Sequence, residues 1–254
     1  MSTVRAQSTL APWVQYARRP ADDRAVLLCF PHAGGAASAY REWTTTLGDF
    51  GIEVWPVQLP GRENRFAEPL TTDIDAVIAA VATLVQENLG DRPYAVYGHS
   101  AGAMLAYHFT LAASRAGCPG PCHLFLGACR PPSRPDPDFP LHRLDHDRFQ
   151  ARLLAYGRMP AEVLAYPEMV ELMLNTARAD LELVEAPLWT SAMVVDCPTT
   201  ALGGVADAAV PIDTLPHWQE ITRGGFESVV LPGGHFPPPA AERELLEVIR
   251  RGLR

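Results

Sequence analysis

The chain contains no lysine; all 21 of its basic residues are arginine. That absence excludes Schiff-base chemistry and the Walker A phosphate loop, since both depend on a lysine amine. Arginine-only usage beside abundant alanine, glycine and proline reads as GC-rich coding rather than chemistry. No apolar run approaches the roughly 20 residues that cross a bilayer, and Met1 to Pro12 lacks the apolar stretch of a secretory signal. The expectation is a cytoplasmic protein with no membrane partner. Cysteine is sparse and odd in number: Cys29, Cys118, Cys122, Cys129 and Cys197 are irregularly spaced. Cys118 and Cys122 flank Pro119-Gly120-Pro121 without a matching His or Cys pair, so all five read as reduced thiols and no metal site is expected. Positive charge is also short. The net charge of −8 disfavours a nucleic-acid partner.

What is present is alternation. The 254 residues suit one large α/β domain or two small ones, with enough apolar content for a sizeable core. Ala25 to Phe30 is a near-continuous apolar run, as a buried central strand should be. Ser38 is placed to cap a helix reaching about Leu47, and Ile52 to Gln58 reads as a strand whose Pro56 implies an edge or a bulge. Thr72 or Asp73 starts a helix through Asn88, with Ile74, Val77, Ile78, Val81, Leu84 and Val85 on one stripe. A strand from Tyr94, a helix to about Arg115 and a strand from Cys122 to Gly127 follow. Later come a strand at Pro198–Gly204, a helix near Asp213–Thr222, a strand at Phe226–Leu231 and a final helix, Ala240–Leu253. Trp13 to Ala17 reads as a short edge strand. Strand–helix alternation of this kind predicts a mostly parallel sheet flanked by helices on both faces.

The rhythm breaks once. Five prolines between Pro131 and Pro140 forbid regular structure, and three helical stretches follow without a strand: Asp145–Tyr156, Pro160–Ala165 and Pro167–Val184. The expected division is a core of residues 1–129 and 190–254 carrying an insertion at 130–189.

The chemistry gathers at Gly98-His99-Ser100-Ala101-Gly102, between the apolar run from Tyr94 and an Ala-rich helical segment. G-x-S-x-G between strand and helix is the nucleophile elbow, where side chains at 98 or 102 would crowd a strained turn and a helix N-terminus faces the reacting centre. A serine hydroxyl needs a base, and the base an orienting acid. Of eight histidines, His235 alone follows the final strand in a Gly-Gly turn, at the sheet edge where open α/β sheets gather their chemistry. Asp207 follows the preceding strand. Asp213 competes but is better placed at a helix start, and Asp196 lies at the wrong end of the strand. The order Ser100, Asp207, His235 is that of the α/β-hydrolase fold. Backbone N–H groups of Ala101 and of Ala33, in Pro31-His32-Ala33-Gly34-Gly35, are the candidate oxyanion donors.

Together, Phe30-Pro31-His32-Ala33-Gly34-Gly35, Gln58-Leu59-Pro60-Gly61-Arg62, Gly98-His99-Ser100-Ala101-Gly102 and Pro232-Gly233-Gly234-His235-Phe236 resemble the type II thioesterases, the stand-alone editing enzymes of polyketide and non-ribosomal peptide synthesis. The resemblance covers nearly the whole chain; the segment Leu188 to Asp196 matches poorly. It implies that residues 130–189 are a helical lid, that Ser100, Asp207 and His235 are the triad, and that Ala33 and Ala101 supply the oxyanion hole. It also implies a substrate acyl group borne on the phosphopantetheine arm of an acyl or peptidyl carrier protein, with no cofactor or metal. Ala101 stands where relatives often carry methionine, which keeps the backbone donor and alters the acyl-pocket lining. An esterase or lipase, an acyl transferase, and a silent binding module on the same scaffold remain alternatives. In the insertion, Arg130, Arg134, Arg143, Arg148, Arg152 and Arg158 outnumber Asp136, Asp138, Asp145 and Asp147. This locally positive patch on an acidic chain suggests carrier docking, with Arg148 and Arg152 foremost; the competing expectation is a solvated face with internal ion pairs.

Overall fold

The computed structural model describes residues 10–113, 118–157, 163–186 and 193–253. The readings at Met1–Thr9, at the helix end near Arg115, at Arg158, at the first residues of Pro160–Ala165 and over most of 188–196 lie outside them.

Among the described residues, six strands form one parallel sheet in the order β2-β1-β3-β4-β5-β6. They are β1 (Ala25–Phe30), β2 (Ile52–Pro56), β3 (Tyr94–His99), β4 (His123–Gly127), β5 (Thr199–Gly204) and β6 (Phe226–Leu231). The apolar run of β1 is buried throughout because both faces are covered. Val26, Leu28 and Phe30 join the core layer on one face, while Leu27 and Cys29 join the other, as the two-residue repeat of a strand dictates. Pro56 ends the edge strand β2, where its missing N–H breaks no interior ladder.

Helices cover both faces. α1 is the single turn Trp43–Thr46. α2 (Ile74–Asn88) is capped by Asp73, whose carboxylate accepts from Ala76 N at 3.0 Å, and it buries the expected stripe from Val77 to Val85. α3 (Ala101–Ala113) follows β3 at once and is apolar nearly all round, as an interior helix should be. Between β4 and β5 lie α4 (His146–Ala155), capped by Asp145, and α5 (Pro167–Glu185), opened by a proline at its first position. α6 (Pro239–Gly252) closes the chain against the second core layer.

Three local expectations fail. Ser38 caps no continuous helix; the segment breaks into a 3-10 turn at Ala37–Tyr40, α1, and another 3-10 turn at Gly48–Phe50. The hydroxyls of Thr44 and Thr46 bond back to the carbonyls of Arg41 and Glu42 at 2.7 and 3.2 Å, which competes with helical continuation. Ile212–Ile221 is 3-10 rather than α-helical, with Pro216 inside it and unable to donate. Trp13–Ala17 makes one antiparallel bridge, Val14 to Val57, and the left-handed Tyr16 (φ 61°) ends the extension. Among the described residues no helix is long and apolar enough to cross a membrane, and all five cysteines are free thiols.

Candidate active site

Ser100 sits between β3 and α3 with a φ of 56°, a left-handed conformation that costs a non-glycine residue energy and is sustained by its surroundings. Its N–H donates to Gly127 O at 2.8 Å, pinning the turn to β4. The neighbouring glycines allow the close approach. A Cβ at Gly98 would lie 2.0 Å from Gly102 O, and one at Gly102 would lie 2.3 Å from Phe30 O. Serine is thereby held proud of the sheet at the start of a helix, as the elbow pattern predicts.

His235 follows β6 and reaches back over the sheet edge. Its Nε2 lies 3.0 Å from Ser100 Oγ, and its Nδ1 lies 2.8 Å from Asp207 Oδ2. A carboxylate only accepts, so Nδ1 carries the proton and Nε2 is free to accept from the serine hydroxyl. The other oxygen of Asp207 accepts from Ala209 N and Val210 N at 2.9 and 3.1 Å. Burial pushes the Asp207 carboxyl upward, yet the His235 hydrogen bond and charge, with the two N–H donors, outweigh it and hold the group below its ordinary value. It is therefore ionised at neutral pH.

The competing acids stand elsewhere. Asp213 is exposed in the first turn of the 3-10 segment, and Asp196 is exposed and paired with Arg223 at 3.4 Å. Ala101 opens α3, so its N–H is among the first four that have no intrahelical acceptor. Ala33 lies in the turn after β1, closed by Gly35 N donating to His32 O at 2.8 Å. This turn flanks the elbow, because β1 pairs directly with β3 and the first turn of α3 presses on the backbone of Phe30 and Pro31. The motif histidines pack beside His235: the rings of His32, His99 and His235 each contact Phe236 at about 5 Å.

A cavity of about 180 Å³ opens beside Ser100 and His235. Ala101, Met104, Leu181 and Val184 give it apolar walls, and Tyr156 closes one side. The Tyr156 ring stacks on the His235 imidazole with centroids 4.7 Å apart and 23° between planes. Burial pushes its phenol up to about 12, so it is neutral in the working range. Three charged residues also border the cavity: Arg130 donates through Nε to Ala209 O at 2.7 Å, Asp136 pairs with Arg152, and Glu185 holds His142 Nδ1 at 2.7 Å.

Arg148 and Arg152 lie on α4. Arg148 donates to Asp138 at 2.8 Å with 62% of its side chain exposed. Arg152 pairs with Asp136 and, at 3.8 Å, with Asp138, and is half-buried. Three residues near this site are given no role by any sequence pattern: Tyr156, which stacks on His235, and the buried pair Arg62 and Asp180. Asp180 carried a signal, an acid beside the stripe Val170, Leu174, Ala177, Leu181 and Val184 of an amphipathic helix. Arg62 ends the Gln58-Leu59-Pro60-Gly61-Arg62 motif, whose contacts the sequence does not reveal.

The likeness to known proteins extends over nearly the whole chain. Residues 25–253 match the family model described as a thioesterase domain. The gramicidin S biosynthesis protein GrsT of Aneurinibacillus migulanus is 33% identical over 228 residues, covering 90% of this chain and 88% of that one. The structure of RedJ, a thioesterase from the prodiginine biosynthetic pathway of Streptomyces coelicolor, superposes with a TM-score of 0.83 at 33% identity, covering 94% of each chain. The type II thioesterase BorB from the borrelidin biosynthetic cluster gives a TM-score of 0.81 at 30% identity, over 95% of this chain and 98% of that one.

Proposed function

The chain belongs to the thioesterase family and is a hydrolase of thioesters; on that premise we propose that it edits polyketide or non-ribosomal peptide synthesis, cleaving acyl groups from the phosphopantetheine arm of an acyl or peptidyl carrier protein. The observation that carries the reading is the relay of Ser100 Oγ, His235 Nε2, His235 Nδ1 and Asp207 Oδ2, with links of 3.0 and 2.8 Å, beside an apolar cavity. The pathway class is supported by relatives whose names place them in gramicidin S, prodiginine and borrelidin biosynthesis.

The chemistry follows from the positions. Ser100 Oγ attacks the thioester carbonyl while its proton passes to His235 Nε2. Asp207 holds the imidazole in the accepting tautomer and stabilises the imidazolium. The oxyanion takes the N–H groups of Ala33 and Ala101, aided by the positive end of α3. Collapse breaks the C–S bond, and the pantetheine thiol leaves with the proton from His235. Water then attacks the acyl-serine, giving its proton to His235. The second collapse frees the acid and returns that proton to Ser100. Each step uses the chain's own residues and water.

Residues 130–189 serve as the lid over the acyl cavity, with the remainder as the catalytic core. Arg148 presents its exposed charge to the carrier, and Arg152 supports it through Asp136 and Asp138. The deciding experiment follows acyl-carrier proteins by intact mass after incubation with the enzyme. Wild type should restore the free phosphopantetheine mass. Ser100→Ala should slow this by several orders of magnitude while keeping the wild-type circular dichroism. An active Ser100→Ala, or a wild type that cleaves only small acyl esters, overturns the assignment.

A further inference from the structure

Far from the relay in sequence, Asp180 on α5 lies against the turn that carries Ala33. It is 4% exposed and its partner Arg62 7%. The pair is bidentate: Arg62 Nη1 donates to Oδ2 at 2.6 Å and Nη2 to Oδ1 at 2.7 Å. Asp180 Oδ2 also accepts from Gly34 N at 2.8 Å, and Arg62 Nη1 donates to Gly35 O at 3.1 Å. One buried ion pair therefore grips an N–H and a carbonyl of the same turn. Gln58 extends the grip, accepting from Ala37 N at 2.8 Å and donating to Arg62 O at 3.0 Å. Gly34 needs its left-handed φ of 72°, and a Cβ there would sit 3.4 Å from the Ala177 methyl of α5.

We propose that Asp180 is a positioning residue for the oxyanion hole: by holding Gly34 N–H, and with Arg62 holding Gly35 O, it fixes the orientation of the Ala33 N–H. The inference rests on the proposed role of Ala33. The link is short. The Gly34 N–H and the Ala33 carbonyl share one rigid peptide plane. Fixing that plane leaves only the two dihedrals of Ala33 between the anchor and the Ala33 N–H. An oxyanion donor works because it is aimed before charge develops, and small misplacements near a reacting centre cost rate steeply. A carboxylate held by a guanidinium fork is a rigid anchor. Because Asp180 stands on α5, the seating of that helix and the aim of the donor become one property.

The test must separate aim from stability, because removing one member of a buried pair strands a charge. The double variant Asp180→Leu/Arg62→Met removes both charges. Asp180→Asn/Arg62→Gln removes the charges but keeps an acceptor for Gly34 N–H. Two readouts are taken on each folded variant: kcat and KM for a small acyl-thiol substrate, and the rate of Ser100 modification by a fluorophosphonate, whose phosphoryl oxygen also enters the oxyanion hole. The Leu/Met variant should lose on the order of tenfold to a hundredfold in kcat and in modification rate, with KM within about twofold. The Asn/Gln variant should recover a substantial part of both. A folded Leu/Met variant with wild-type modification rate and kcat overturns the inference, as does a loss confined to KM. A wild type that is modified at Ser100 yet cleaves no acyl thioester refutes the functional reading instead, and the modification rates still judge Asp180.

Discussion

A single dihedral marks the centre of the site. Ser100 carries a φ of 56°, and its strain is tolerated because Gly98 and Gly102 remove the atoms that would collide. The proposed choice of Asp207 as the acid is equally local. Asp207 is fixed by Ala209 N, Val210 N and His235 Nδ1, whereas Asp213 is exposed and reaches none of these. Asp207→Asn should preserve the packing but offer His235 an amide, favouring the wrong tautomer. Turnover should fall on the order of a thousandfold or more, whereas Asp213→Asn stays within about twofold; steady-state kinetics on one acyl thioester decides between them, and the reverse pattern would exclude Asp207. These residues were legible in the sequence because each occupies a loop directly after a strand, where a motif and the chain order agree. Asp180 and Tyr156 were not. Their partners lie 146 and 79 residues away (180 − 34 and 235 − 156), and only the packing of α4 and α5 over the sheet brings them together.

Among the elements, the strands and long helices follow their patterns and the short connections do not. The β1 run and the α2 stripe are buried as their periods require. Around Ser38 and Asp213 the pattern is too short to outweigh local chemistry: threonine hydroxyls in the single turn of α1 compete for carbonyls, and Pro216 sits in a 3-10 segment where the sequence predicts an α-helix. The insertion shows the same tension in its charges. The two foremost arginines of the positive patch are engaged by the aspartates beside them, Arg148 with Asp138 and Arg152 with Asp136 and Asp138. Arg152 is half-buried and its partner Asp136 borders the cavity, so altering it disturbs the cavity as well. Arg148 separates the two effects. Arg148→Glu should raise KM for a carrier-borne acyl group severalfold and leave a small acyl-thiol substrate unchanged, and added salt should shrink the difference. Equal KM values for wild type and variant on the carrier-borne substrate would reduce the arginine to a surface ion pair.

The whole molecule responds to pH through groups remote from Ser100, His235 and Asp207. His108 in α3 and His123 at the start of β4 are both brought down by burial to about 4, from an ordinary 6.5. For His108 the Asp75 carboxylate opposes the shift without cancelling it. Both rings are neutral in the folded protein at pH 5, while the unfolded chain would protonate them. The unfolded state thus binds more protons between about 6.5 and 4, and stability falls as pH drops through that window. Above it the two histidines contribute no slope. Below it the carboxylates held under their ordinary values take over: the stabilisation of ionised Asp207 is present above about 3.8 and lost as pH falls through its lower folded value. For His108, the fall from 6.5 to about 4 sets an upper bound of about 3.5 kcal/mol. Relief of the net charge of −8 acts in the opposite direction, but exposed charges more than about 8 Å apart are largely screened at physiological salt. The buried rings should therefore win. Thermal melts from pH 7.5 to 4.5 at constant ionic strength should show Tm falling by on the order of 5–10 °C. His108→Gln should start from its own plateau and lose visibly less over the same range. A slope identical to wild type would show that His108 does not carry the acid sensitivity, and that burial of its ring leaves its protonation free.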